Sequence, residues 1–163
     1  MWFYVFHFEF LVLFDIVANG GFMNIITKFL TFSTKGNNDI VDITYKVQEK
    51  LRESKMEEGH VILFVPGSTA GFTTMEYEPG QVQDLKDLME GLIPRNKDYA
   101  HNHSMAGSDE NAHSHLRASL IKPDITVPFT NSELILGTWQ QIVFIDFDIY
   151  PRERKVALQF IGE

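Results

Sequence analysis

The run from His60 to Val65 constrains this chain more than any other stretch, because it is almost continuously apolar and stops at Pro66-Gly67. A short apolar run bounded by turn residues reads as a strand buried on both faces, so the fold has to cover both sides of a sheet. The neighbouring segments are suited to that. Asn24 to Ser33 interleaves Ile25, Ile26, Phe29, Leu30 and Phe32 with threonine and reads as a strand, broken by Gly36-Asn37-Asn38-Asp39. Ile40, Ile43, Val47 and Leu51 then recur at helical spacing, with Asn38 or Asp39 as N-cap and Gly59 as a left-handed stop.

Ala70 to Tyr77 reads as the next strand. Pro79-Gly80 turns the chain into a second helix with Val82, Leu85, Leu88, Met89 and Leu92 inward, and Pro94 ends it. From Arg95 to about His115 no period appears, and irregular stretches of that length in small domains are functional or disordered. Ile125 to Phe129, Leu134 to Phe147 and Lys155 to Ile161 have β character. The expected architecture is α+β: one compact domain with a mixed or antiparallel, sandwich-like sheet and two main helices. At 163 residues, one core burying roughly 70% of the unfolded surface suffices.

The first 22 residues stand apart. Trp2 to Ala18 is apolar and aromatic but contains His7, Glu9 and Asp15, and it is too short for a membrane span. It also lacks the basic start and small-residue cleavage site of a signal peptide. Gly20-Gly21-Phe22 before Met23 matches a translated ribosome-binding run, so the domain is expected to span 23–163 with 1–22 as an extra or mis-assigned segment. A net charge of -8 with pI ≈ 5.2 argues against sequence-independent nucleic-acid binding. The lack of cysteine removes disulfides, thiolates and Cys-based zinc sites and fits a cytoplasmic setting.

Several constellations carry chemistry. His101-x-His103 and His113-x-His115 could hold a metal with Asp98, Asp109 or Glu110, provided each pair lies on a strand, because helical residues two apart diverge. The turn Pro66 to Gly71, with Ser68 and Thr69, could present amides and hydroxyls to phosphate, although it lacks the lysine and helix of a P-loop. Gly137, Thr138, Trp139 and Gln140 interrupt an apolar stretch; Gly137 admits close approach and Gln140 offers a donor and an acceptor, while Trp139 could equally fill the core. Arg152 and Arg154 could meet phosphate bidentately. Glu76 and Glu78 would share a strand face as an acid/base or metal pair, or simply face solvent.

In order and wording these pieces resemble the YjbQ family. The matching stretches are Val65 to Ala70 leading to Glu76, Tyr99-Ala100-His101, Asn111 to Leu116, Val127-Pro128-Phe129, Leu134 to Gln140, and Phe147-Asp148 with Pro151 to Arg154. The resemblance implies a homotrimer with its site at the histidine segments near a subunit boundary, where His101, Asn111 and His115 fit the family's polar pattern. It implies secondary thiamine-phosphate synthase activity, in which a hydroxymethylpyrimidine diphosphate and a thiazole phosphate are joined with release of pyrophosphate. A divalent metal, Mg²⁺ or Zn²⁺, would be held by His101, His115 and His113. Arg152, Arg154 and Arg117 would meet phosphate, and Trp139 would stack. Many relatives carry His-Thr-Thr where this chain has Gly67-Ser68-Thr69, which makes a non-catalytic anion-binding oligomer one alternative, and the His-x-His pairs with their adjoining carboxylates make a metal-dependent hydrolase another. Every reading needs the histidine stretch to meet the Gly137 to Gln140 strand, from its own or a neighbouring subunit.

Overall fold

The computed structural model describes residues 23–104 and 110–163; the extension at 1–22 and Asp109 lie outside them. Two antiparallel sheets carry the fold. One has five strands in the order β1 (Asn24–Thr34), β8 (Arg152–Gly162), β3 (Gly59–Phe64), β5 (Asp124–Thr130), β6 (Glu133–Leu134). The other has three, in the order β2 (Asp39–Asp42), β7 (Gln141–Asp146), β4 (Ala70–Met75). The architecture is α+β and sandwich-like, as expected, but the described residues form three α-helices where two main ones were expected.

Alternation along the strands builds the first core. Leu30 and Phe32 of β1, Val156, Leu158 and Phe160 of β8, Val61 and Leu63 of β3, and Val127 and Phe129 of β5 all point the same way. They meet Phe72 of β4 with Ile142 and Phe144 of β7, and helix α1 (Thr44–Ser54) closes the layer with Val47 and Leu51. The remaining residues of β7, Val143 and Ile145, face a second core with Ile40, Met89 and Ala118. Helices α2 (Pro79–Leu92) and α3 (Ala112–Ile121) cover that side. Order through the molecule is therefore large sheet, small sheet, helices.

The strand buried on both faces is β7, and the His60 to Val65 expectation needs correction. In β3 the burial alternates, with Val61 and Leu63 sealed and Phe64 45% exposed, because among the described residues no helix lies over the outer face of the large sheet. A second correction concerns the first helix. Asp39–Asp42 pairs with Asp146–Val143 of β7 as a strand, and Asp42 Oδ1 accepts from both the amide and hydroxyl of Thr44 to start α1 there. Lys55, at φ 60°, rather than Gly59, supplies the left-handed end.

Helix α3 was hidden by its own chemistry. Its buried residues are Ala112, His113, Ser114, Arg117 and Ala118, while Leu116 and Leu120 are 46% and 57% exposed. A helix that buries polar groups and exposes leucines carries no apolar stripe to read. It packs on β4 at Gly71, where a Cβ would stand 2.4 Å from the Lys122 carbonyl oxygen, so only glycine lets the helix end lie this close.

Candidate functional site

The short 3₁₀ turn Ala100–His103 and the first turns of α3 bring His101 and His115 together. Their ring centroids are 5.0 Å apart at an interplanar angle of 71°, edge to face. Two cavities share His115. The first, about 360 Å³, is lined by Tyr99, Ala100, His101, Ala112, His115 and Leu116 and is almost wholly apolar apart from the rings. The second, about 190 Å³, lies between α3 and the Pro66 to Gly71 turn, with Gly67, Ser68 and Ser119 in its wall.

Local hydrogen bonds explain this placement. Asn111 occupies the N-cap position of α3 without a side-chain capping bond. Its backbone oxygen accepts from the amides of Ser114 and His115. The side-chain cap comes instead from the 3₁₀ turn, where Asn102 Oδ1 accepts from the Ala112 amide at 3.1 Å. Ser114 donates to the Phe147 carbonyl at 2.6 Å and ties α3 to the end of β7. Arg117 is nearly sealed, donating to the Ile93 carbonyl, Asn38 and Glu90, so it anchors α3 and does not face either cavity.

The other histidines go elsewhere. His113 and His115 sit two apart on a helix and diverge, so the expected metal set of His101, His115 and His113 is not assembled. His103 Nε2 pairs at 2.5 Å with Asp98, both well exposed. Among the described residues no three His, Asp or Glu side chains cluster as metal ligands. Glu78 is the N-cap of α2, accepting from the Gly80 and Gln81 amides, which ends its candidacy as an acid/base partner of Glu76.

His113 is only 2% exposed, and its Nδ1 has no hydrogen-bond partner among the described residues. Burial, then the neighbouring Arg117 and Arg95 charges, push its pKa down to about 4 against an ordinary 6.5. The folded state thus keeps His113 neutral where the unfolded chain takes up a proton. Stability is full above about pH 6.5 and falls as the pH drops towards 4, by about 3 kcal/mol over the window. Urea unfolding at pH 7.5 and pH 4.5 measures this, and a His113→Gln variant is expected to lose that part of the slope; an unchanged slope would refute the assignment.

The arginines expected to hold phosphate are held by carboxylates. Arg154 donates to Asp146 through Nε at 2.7 Å and Nη2 at 2.5 Å, and Nη2 also reaches Thr69 Oγ1 at 3.0 Å. Arg152 donates to Asp148 Oδ2 at 3.0 Å, and Thr69 donates to the same oxygen. Burial alone would raise Asp148, but Arg152, the Tyr150 amide and Thr69 hold its carboxyl below the ordinary range. Thr69 therefore belongs to this buried network, while Ser68 lines a cavity. From the network, Arg154 Nη1 lies 3.7 Å from where a Cβ on Gly67 would sit.

Gly137 to Gln140 form a tight turn between β6 and β7, which corrects the expected continuous strand. The Gln140 amide donates to the Gly137 carbonyl, Gln140 Oε1 accepts from the Gly137 amide, and Gln140 Nε2 donates to Thr74. Trp139 is 71% exposed and fills no core. This turn sits by Thr74 on β4, whereas His115 lines a cavity with Ala70 at the other end, about 13 Å of strand away. Among the described residues of one chain β4 therefore holds the two apart, and a common pocket would need a neighbouring subunit.

Fold and site together define a small antiparallel α+β sandwich with a paired-imidazole pocket where a helix meets a strand turn. The chain belongs to the family described as UPF0047 protein YjbQ-like, whose model matches residues 28–163. The UPF0047 protein of Archaeoglobus fulgidus is 38% identical over 130 residues, spanning 80% of this chain and 97% of that one. That of Methanothermobacter thermautotrophicus is 35% identical over 144 residues, 88% of this chain and 97% of its own. A YbjQ-like protein of unknown function from Sulfolobus solfataricus superposes with TM-score 0.81 at 28% identity, covering 87% of this chain and 100% of that structure. A hypothetical protein from Aeropyrum pernix gives 0.78 at 33% identity, covering 85% and 99%.

Proposed function

We propose that this chain binds a phosphorylated, ring-bearing small molecule across its two cavities and joins a hydroxymethylpyrimidine diphosphate to a thiazole phosphate. The observation that carries the reading is the position of His115, whose ring lines both cavities and faces His101. An apolar space of about 360 Å³ suits a planar heterocycle, and the hydroxyl-lined space behind it suits a phosphate. In the reaction the thiazole nitrogen forms a bond to the pyrimidine methylene carbon as the carbon–oxygen bond to diphosphate breaks. The imidazoles hold or move a proton at the leaving oxygen, and the apolar walls exclude water from the cationic carbon.

The donor set bears on the metal. His101 and His115 are the two imidazoles that would hold a zinc ion, which would supply Lewis-acid charge at the diphosphate, and among the described residues no third His, Asp or Glu joins them. Magnesium prefers oxygen donors, so in this reading Mg²⁺ arrives on the diphosphate itself. That route matters because neither cavity is lined by lysine or arginine. The purified protein, given both phosphorylated halves and Mg²⁺, should yield thiamine phosphate; no product would remove the assignment. Thermal stabilisation by diphosphate without turnover would favour the anion-binding alternative, which the glycine at position 67 supports.

The same reading takes the protein as a cytoplasmic homotrimer. Its support is the family resemblance together with the braced turn that presents Trp139, an anchor type favoured at subunit contacts. Light scattering should give three times the 18.8 kDa chain mass, and Trp139→Ala should weaken assembly by about 2 kcal/mol per contact. A monomeric wild-type protein would overturn this.

A further inference from the structure

We infer that Asn102 is the positioning residue that sets the His101–His115 pair. The inference rests on the functional reading above only for its consequence in turnover; the geometry stands on its own. His101 and His115 belong to separate elements. Among the described residues the hydrogen bond that joins the elements comes from one side chain. Asn102 follows His101 in the 3₁₀ turn, and its Oδ1 accepts from the Ala112 amide at the start of α3, one helical turn before His115.

Three observations make this bond specific. Asn111 stands at the N-cap position and makes no side-chain capping bond, so the cap of α3 is supplied from outside the helix. The other hydrogen bonds of the 3₁₀ turn stay local: the Asn102 amide donates to Tyr99, the Ser104 amide and hydroxyl donate to His101, and His103 pairs with Asp98. Those bonds shape the turn without fixing it to α3. Finally, Ala112 lies in the cavity wall beside Ala100, His101 and His115, so the bond ends on a residue of that wall. A capping acceptor constrains both its own backbone and the helix end it serves, and here each partner carries one histidine.

The consequence is a rule for the site: residue 102 must present an oxygen acceptor of Asn or Asp length. Removing it frees the 3₁₀ turn to drift from α3, while the fold, built on sheets and on the Arg117 anchor, persists. Asp keeps the acceptor and adds a charge favourable at a helix N-terminus.

The test uses the full chain and two-dimensional NMR of the histidine rings at pH 8. Wild type should show cross-relaxation between the ring protons of His101 and His115. Asn102→Ala should lose that cross-peak several-fold with sheet resonances unmoved, and Asn102→Asp should restore it. A cross-peak of wild-type strength in Asn102→Ala would overturn the proposal. Should Asn102→Ala not fold, Asn102→Asp decides: a retained cross-peak supports the proposal and a lost one overturns it. Turnover is read in parallel. An inactive wild type with an intact ring contact would retire the functional reading and leave the role of Asn102 standing.

Discussion

Asp146→Ala is expected to destabilise the protein by about 3–5 kcal/mol, a large share of the roughly 5–15 kcal/mol that holds a domain together. Asp146 is fully buried and accepts from Thr34, from two nitrogens of Arg154 and from the Asp148 amide. Its removal leaves a guanidinium with a side chain only 12% exposed facing a cavity, with Asp148 at 3.5 Å as its remaining carboxylate. The cost is that of an uncompensated buried cation, larger than the net worth of the pair. Replacing both residues by apolar ones, as in Asp146→Leu with Arg154→Met, should therefore recover most of the loss. Urea unfolding of the three variants measures this; a loss below about 1 kcal/mol in Asp146→Ala would mean that Arg154 finds another partner.

His115→Ala should lower turnover by about 10²–10⁴-fold, the range supplied by a positioned proton-transfer group, while changing stability little. The ring packs against His101 and lines two cavities, so its removal empties space that solvent already reaches. A matching loss in His101→Ala, with the double variant no worse than either single one, would mark the imidazoles as one working unit. Equal rates in wild type and His115→Ala would instead place any chemistry elsewhere. The two variants separate cleanly, since the Asp146 effect is expected in unfolding and the His115 effect in turnover.

The network around Asp146 also explains why two expectations failed. Arg152 and Arg154 follow Pro151, where arginines read as solvated phosphate ligands. Pairing of β8 with β1 puts Arg154 opposite Phe32, facing inward, and the carboxylates at the end of β7 lie beside it. Nothing local to Arg154 announces a partner eight residues earlier on another sheet. His113 is similar: in the chain it is one of four clustered histidines, and only the helical turn of α3 directs it into the interior.

By itself the sequence determined the α+β class, most strand positions and α2, because period-two alternation, proline and glycine are local signals. Tertiary structure alone decided that β7 is the doubly covered strand, that Asp39–Asp42 joins it, that α3 exists and that Asn102 caps it. Each of those depends on which surfaces meet across long separations, and a helix whose buried face is polar or a cap borrowed from another element leaves no periodic trace in the chain.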